Sequence, residues 1–177
     1  EEGNDQDKFT IDESTGDLSF VNAPDYETPT DSDTNNTYIV SVKASDDSTN
    51  SSIQTLTIFI DDVDEINPSL TSSLPVDDAT EYIFGEDNII LNFSEAVDVE
   101  KGNITIKKSS NDSIFETIDV TSNQVTGTGT SKIVINPSLN LTSSTEYYIQ
   151  IDGTAFDDAS GNSYAGISDK TSLSFTI

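Results

Sequence analysis

The chain of 177 residues contains no cysteine, histidine, methionine, tryptophan or arginine. Without cysteine there is neither a disulfide framework nor a thiolate nucleophile, and the joint absence of cysteine and histidine argues against a zinc site. No apolar run approaches the roughly 18 residues that a membrane-spanning helix needs. Such a chain must be stabilised by its core, by bound ions or by neighbouring molecules.

Positive charge is scarce. Seven lysines face 33 acidic residues, for a net charge of −26. Nucleic acid and anionic membrane are therefore excluded as partners, since both require a basic surface. The same charge destabilises the compact state by self-repulsion, which bound divalent cations relieve. A merely solvated acidic surface explains the composition as well, so the two readings stay open.

Catalytic constellations are also missing. Serines are plentiful, but no histidine can serve as their base, and the lysines are scattered. The glycine-rich segment Gly127-Thr128-Gly129-Thr130 lacks the lysine of a phosphate-binding loop. Carboxylate pairs for glycoside hydrolysis are not excluded by counting, but there is no tryptophan to form a sugar platform. The sequence therefore predicts that the protein is not an enzyme.

Apolar and polar residues alternate along most of the chain, which is typical of β-strands with one buried face. Short turn-rich segments of Asn, Asp, Ser, Thr and Gly separate these stretches, as in a β-sandwich. The pattern predicts an all-β fold of two tandem β-sandwiches. The clearest alternating runs are 38–44, 56–60, 89–93, 104–106, 133–135, 147–151 and 173–177.

A domain boundary is predicted in the acidic segment 61–69, where Pro68 cannot contribute to a strand ladder. The resulting domains are 1–66 and 67–177. The second has the size of a seven-stranded sandwich, whereas the first is too short and is predicted to lack N-terminal strands. Because the chain begins at Glu1 with neither an initiator methionine nor a signal peptide, we expect a piece of a longer polypeptide.

Four motifs in residues 8–68 occur in the order found in a cadherin repeat: Phe9-Thr10-Ile11-Asp12, Pro24-Asp25-Tyr26-Glu27, Tyr38 to Asp46, and Asp62 to Pro68. This region resembles the C-terminal part of a cadherin-like module. The resemblance implies calcium ligands at the linker pole of the module, from Asp25, Glu27, Asp62, Asp64 and Glu65. It assigns Asp46 to the opposite pole.

Two departures from the cadherin pattern affect the expected number of ions. The linker has Asp64 and Ile66 where the family has asparagines, and the domain that follows is not a cadherin. One or two linker ions are therefore expected rather than three. A simple turn-capping role for Asp25 and Glu27 is the alternative.

The second region, 69–177, resembles the bacterial Ig-like modules of large surface adhesins. The resemblance rests on Leu91-Asn92-Phe93-Ser94-Glu95-Ala96-Val97 and on Ala155 to Asn162, among other segments. It implies a spacer or adhesive module without catalytic residues. Asp157, Asp158 and Asn162 can bind an ion in a loop, but an Asn/Gly turn is the favoured interpretation.

We therefore predict a calcium-stiffened structural or adhesive module of a large secreted bacterial surface protein, located outside the cell or on its surface. Its expected partners are neighbouring modules or copies of the same protein, and the missing strands are either trimmed away or supplied head-to-tail by another copy. The alternative function is a carbohydrate-binding module that binds surface glycans. Its candidate aromatics are Tyr147, Tyr148 and Tyr164, of which alternation buries Tyr147 and exposes Tyr148.

Overall fold

A computed structural model describes residues 4–48, 50–80 and 88–177 of the chain. The chain divides into two compact units, Glu1–Val63 and Asp64–Ile177. Both consist of β-strands and connecting segments, without an α-helix among the described residues. The all-β architecture predicted from alternation is confirmed, while the domain limits 1–66 and 67–177 remain a prediction.

The first unit contains two antiparallel hairpins that face each other around a small aromatic cluster. Phe9 and Phe20 are paired across the first hairpin, with ring centroids 4.4 Å apart, and the edge of Tyr38 meets both rings at 6.1 and 5.2 Å. Tyr38 and Val40 are buried at this end. The elements are a 3-10 turn at Gln6–Lys8 and the strands β1 (Phe9–Ile11), β2 (Leu18–Phe20), β3 (Thr37–Ser45) and β4 (Ser51–Phe59).

The inner face of the β3–β4 hairpin is open at its other end. Val42 and Leu56 are only partly buried there, and Ile11 is 42% exposed. Together with Leu18 they line an apolar groove. Part of the inner face is thus uncovered at this end, whereas Val40 is buried at the other end.

The second unit is a sandwich of two antiparallel sheets. In one sheet, β12, β6, β10 and β9 lie side by side, and β5 also pairs with β6; in the other the order is β13, β11, β7, β8. The strands are β5 (Leu70–Leu74), β6 (Ile89–Val99), β7 (Asn103–Lys108), β8 (Ile114–Asp119), β9 (Val125–Thr126), β10 (Thr130–Ile135), β11 (Glu146–Ile151), β12 (Phe156–Asp157) and β13 (Ser174–Thr176).

Alternating side chains of both sheets meet between them. Ile89, Leu91, Ile104 and Ile149, for example, have no exposed surface. Burial of this apolar surface is the main stabilising term of such a sandwich, since each large aliphatic side chain contributes about 1.5–3 kcal/mol. None of the described segments forms a helix long and apolar enough to cross a membrane.

The long strand β6 positions the candidate site. One edge of β6 pairs with β5 from Ile90 to Phe93 and with β12 at Asp98 and Val99. Between these two ladders the same edge of β6 has a gap at residues 95–97. The chain segments that flank β5 and β12 both enter this gap.

Candidate metal centre

Three carboxylates from distant parts of the sequence converge at the gap in the edge of β6. Asp64, Glu95 and Asp158 each have a carboxylate oxygen within 4.8 Å of the corresponding oxygens of the other two. Glu95 belongs to β6, Asp64 precedes β5 and Asp158 directly follows β12. All three residues belong to the second unit.

Local backbone pairing explains why these residues meet. The amide of Ser94 donates to the carbonyl oxygen of Ser69 at 2.9 Å, and the amide of Ser69 donates to Ser94 Oγ at 3.0 Å. These bonds hold the segment that leads into β5 beside Glu95. On the other side of the gap, the pairing of Asp157 with Asp98 delivers Asp158 to the same place.

Asp158 is fixed by a tight turn. Its Oδ1 accepts bonds from the amides of Ser160 and Asn162, both at 2.8 Å, and its Oδ2 accepts the Asn162 side-chain amide at 2.8 Å. Gly161 completes the turn with a φ of 88°. Burial acts to raise the pKa of Asp158, but these hydrogen bonds outweigh it and lower the pKa. The predicted Asn/Gly turn is present, and it also directs a carboxylate to the cluster.

The close approach of the three acids disfavours the charged form of Glu95. Burial raises its pKa, and the neighbouring charges of Asp64 and Asp158 raise it further. Among the described residues no lysine forms an ion pair with any of the three acids, because the two ion pairs join Lys8 to Asp7 and Lys170 to Asp112. A bound cation is the remaining way to neutralise the cluster without protonating it.

The donor set indicates which metals fit. All three ligands are hard carboxylate oxygens, which suit Ca²⁺ or Mg²⁺ and not the softer metals that require imidazole or thiolate. Two ligands on opposite sides of a Ca²⁺ ion lie about 4.6–5.2 Å apart, twice the usual Ca–O distance. The oxygens of the cluster therefore fit within one calcium coordination shell, and the cluster can hold a metal ion.

Of the ligands expected from the cadherin resemblance, only Asp64 belongs to this cluster. Asp25, Glu27, Asp46, Asp62 and Glu65 belong to no group of three metal-binding side chains among the described residues. Asp25 instead accepts bonds from the amides of Glu27 and Thr28, which is the turn-capping geometry. Calcium binding by these five residues remains a prediction.

One feature of the first unit is consistent with the linker pole of that prediction. Asn36 donates its side-chain amide to the carbonyl oxygen of Tyr26 at 2.9 Å, and its backbone carbonyl oxygen accepts the amide of Ile60 at 3.0 Å. It thereby joins the Asp25–Glu27 segment to the chain just before Asp62. Asn36 Oδ1 is buried without a hydrogen-bond partner, so an oxygen is available at this end of the unit. Asp46 follows the other end of β3, where it caps its own turn through Ser48 and Asn50.

The tyrosines proposed as a sugar platform are buried. Tyr147, Tyr148 and Tyr164 are 0%, 2% and 7% exposed, so the prediction of an exposed Tyr148 was wrong. Alternation does place Tyr148 on the outer face of the sheet, but Lys107 and Lys170 lie over its ring at 6.0 and 5.7 Å from the centroid. Its hydroxyl donates to Asp112 at 3.0 Å. The aliphatic stems of long lysine side chains can cover an aromatic ring in this way.

The unit that holds the cluster is similar to a known domain family. A family model described as a bacterial Ig-like domain matches residues 64–177, which is well over half of the chain. The chain belongs to the bacterial Ig-like domain family. No curated protein matches it, and the cadherin-like resemblance of residues 8–68 remains a prediction.

The matched region begins at Asp64, so it contains all three cluster residues. The sequence analysis named Asp64 as a ligand together with other residues of the linker pole. It did not name Glu95, and it gave Asp158 a turn as its main role. Both residues nevertheless stand in the segments that carry the Ig-like resemblance, Leu91–Val97 and Ala155–Asn162, which is the signal that pointed to them.

Proposed function

We propose that this chain is a non-enzymatic structural or adhesive module of an extracellular bacterial surface protein, and that its Ig-like unit binds Ca²⁺ through Asp64, Glu95 and Asp158. Bacterial Ig-like domains are structural modules, which supports the first part. The observation that carries the second part is the convergence of three carboxylates within 4.8 Å. The net charge of −26 supports a cation as the ligand.

Calcium is favoured over magnesium by the form of the site. Ca²⁺ tolerates irregular shells of six to eight oxygens, whereas Mg²⁺ demands near-octahedral geometry and retains most of its waters. Asp158 is buried and Glu95 half-buried, but Asp64 is exposed, so water can reach the cluster from the side of Asp64 and complete a calcium shell. Extracellular calcium modules commonly bind with Kd of about 10⁻⁴ to 10⁻³ M.

Binding would stabilise the place where the chain enters the Ig-like unit. Asp64 lies at the start of that unit, whereas Glu95 and Asp158 belong to its sheet and to the turn after β12. An ion held by all three would fasten the entering segment to the sandwich. Removal of the ion would leave three carboxylates repelling one another at that point.

The experiment is a thermal unfolding titration of the full chain in chelator and in increasing CaCl₂, with Glu95→Gln as the test variant and Glu100→Gln as its control. Both substitutions remove one negative charge from neighbouring parts of the same chain segment, but Glu100 lies outside the cluster. At ten times Kd one ion stabilises the folded state by about 1.4 kcal/mol. Glu95→Gln should remove most of this gain and Glu100→Gln should retain it. Identical melting curves with and without calcium would refute the proposal.

We further propose that Asp25, Glu27, Asp62 and Glu65 bind calcium at the linker, that Asp46 does so at the opposite pole, and that linker ions stiffen the junction of the modules. The cadherin-like motifs and the unpartnered Asn36 Oδ1 support this second site. Calorimetric titration of Glu27→Ala and Asp62→Ala should show fewer bound ions than the parent chain. Small-angle scattering should show a shorter, more variable molecule in chelator, and a chelation-independent profile would contradict stiffening.

A further inference from the structure

The hydrogen-bonding direction of each residue in the β3–β4 hairpin can be read from its two ends. The amide of Ile60 donates to the Asn36 carbonyl oxygen at 3.0 Å, and the amide of Asp46 donates to that of Asn50 at 2.9 Å. Hydrogen-bonded pairs alternate with non-bonded pairs along an antiparallel ladder, and the register between these ends has no bulge. The even-numbered residues therefore bond across the hairpin. The odd-numbered residues direct their N–H and C=O groups to its two outer edges.

The outer edge of β3 is covered by the unit itself at Ile39 and Ser41. The amide of Ile39 donates to Asp5 Oδ2 at 2.7 Å, and its carbonyl oxygen accepts the Asp5 amide at 3.1 Å. The side chain of Gln6 bonds Ser41 in the same way. Its oxygen accepts from the Ser41 amide at 3.3 Å, and its nitrogen donates to the Ser41 carbonyl oxygen at 3.0 Å. Both partners are odd-numbered, as the alternation requires. Asp5, which is 1% exposed, thus replaces a neighbouring strand.

The outer edge of β4 has no such cover. Among the described residues, no hydrogen bond reaches the backbone groups of Ser51, Ile53, Thr55, Thr57 or Phe59 on that side. Natural sheets protect open edges with charged residues, proline or bulges. The nine residues of β4 have no charged side chain and no proline. Instead, Ile53 and Phe59 are 65% and 70% exposed.

We propose that β4 is a self-association edge, at which β4 of one chain pairs antiparallel with β4 of a second copy. Thr55 is the central residue of the strand and directs its backbone groups outward, so it is the natural position of the two-fold axis. In this register Ile53 faces Thr57 of the second copy, and Ser51 faces Phe59. The result is a closed dimer with one continuous four-stranded sheet, because the same surface is used by both copies.

Side chains on both faces of the strand fit this arrangement. On the outer face, Phe59 of one copy lies diagonal to Ile53 of the other, which is within reach of an aromatic ring. On the inner face, Gln54 faces Leu56 of the second copy. Leu56 borders the open apolar groove, so the added strand extends the inner face that the unit leaves uncovered.

Charge restricts the contact between two copies to surfaces that carry no charge, such as β4, and it sets a distinctive salt dependence. Two chains of charge −26 repel each other over most of their surfaces, but β4 lets them meet along nine residues without a charge. The remaining repulsion is long-ranged and is screened by salt, over about 10 Å at 0.1 M. Dimerisation should therefore strengthen as NaCl is raised, whereas association through ion pairs would weaken.

The test is sedimentation velocity of the full 177-residue chain over a range of concentrations, in EDTA, at low and high NaCl. The use of EDTA separates this proposal from calcium binding. Thr55→Pro removes an outward N–H that the β3 ladder does not use, and Thr55→Lys places two ammonium groups opposite each other at the axis. Thr55→Ala is the control, since it loses the hydroxyl contact with Ser41 Oγ but keeps the backbone donor.

We expect the parent chain and Thr55→Ala to form salt-strengthened dimers. Thr55→Pro and Thr55→Lys should dimerise at least tenfold more weakly, and circular dichroism should establish that they remain folded. Because Thr55 is exposed, the lysine variant is the safer one if proline disturbs the hairpin. A parent chain that stays monomeric at every salt concentration, dimers that the lysine variant retains, or assembly beyond the dimer would each overturn the proposal.

Discussion

Asn162 donates its side-chain amide to the backbone carbonyl oxygen of Asp64 at 2.6 Å, across 98 positions of sequence. The same amide nitrogen also bonds Asp158 Oδ2 at 2.8 Å. The side chain of Asn162 therefore links Asp64 and Asp158, two of the three clustered acids, by hydrogen bonds. Asn162 positions both residues while its own nitrogen, a donor, cannot bind a cation.

Substitution of Asn162 by alanine should weaken calcium binding without removing a carboxylate. The loss of a hydrogen bond worth about 1 kcal/mol corresponds to a roughly fivefold higher Kd if it acts only in the bound arrangement. Calorimetric titration of Asn162→Ala measures this, with the exposed Asn140→Ala as control. An unchanged Kd in Asn162→Ala would show that the bond to Asp64 does not organise the cluster.

Glu116 is a buried acid with a structural role. Its carboxylate accepts the Gln124 side-chain amide at 2.9 Å, and the Ser138 hydroxyl and amide at 2.7 and 3.0 Å. Burial acts to raise the pKa of Glu116, but these donors outweigh it and lower the pKa. They connect β8 of one sheet to the chain just after β10 of the other.

Replacement of Glu116 by glutamine should therefore destabilise the Ig-like unit despite its similar shape. One carboxylate oxygen becomes an NH₂ group that faces other donors, and a buried mismatch of this kind costs about 1–3 kcal/mol. Urea unfolding of Glu116→Gln measures the loss. Glu146→Gln, at an exposed site, should change stability little, and equal effects of the two variants would contradict the assignment.

Asp169 should make the stability of the unit depend on acidity. Hydrogen bonds from the Ser172 hydroxyl, from the amide and hydroxyl of Thr171 and from the Ser172 amide lower its pKa from 3.8 to about 2. Because the folded pKa lies below the unfolded one, this stabilisation is present above the unfolded value and is lost as the pH falls through the folded value. Asp169→Asn should melt below the parent chain at neutral pH, and the difference should shrink towards about pH 2. A difference independent of pH would contradict the sign.

The fold was predictable from the sequence because alternating apolar residues indicate a strand with one face buried in the core. Ile104 and Ile106 were expected on one face of a strand, and both are fully buried. Alternation states which face a residue occupies but not what covers that face. This is why the exposure of Tyr148 was predicted wrongly. One of the lysines that cover its ring, Lys170, lies outside the strands and is remote from Tyr148 in sequence.

The metal cluster was harder to predict because its members share no local spacing. Asp64 and Glu95 meet only because β5 and β12 occupy different stretches of the same edge of β6. The position of that gap depends on where each strand ends, and strand ends are poorly predicted from sequence patterns. A family motif marked Glu95 and Asp158, but nothing in either motif indicated that they face each other.

A pair of glycines allows backbone strain to be separated from steric overlap. Gly166 has a φ of 76°, and a Cβ there would lie 2.4 Å from the carbonyl oxygen of Ile151, whereas Gly161, with a φ of 88°, has nothing within 4 Å of such a Cβ. In both alanine variants the new side chain must adopt a left-handed backbone conformation, which destabilises the folded state by about 1–2 kcal/mol. Only Gly166→Ala must also displace the bonds between Ile151 and Ile167, which are 2.9 Å long.

We therefore expect Gly166→Ala to lower the free energy of unfolding by about 1–3 kcal/mol more than Gly161→Ala, the usual cost of forcing extra atoms into a packed site. Urea midpoints in EDTA measure both variants, so that any effect of Gly161→Ala on calcium affinity does not enter the comparison. Equal losses would mean that the Ile151–Ile167 bridge yields at little cost. In that case the segment after Tyr164 contributes little to the stability of the sandwich.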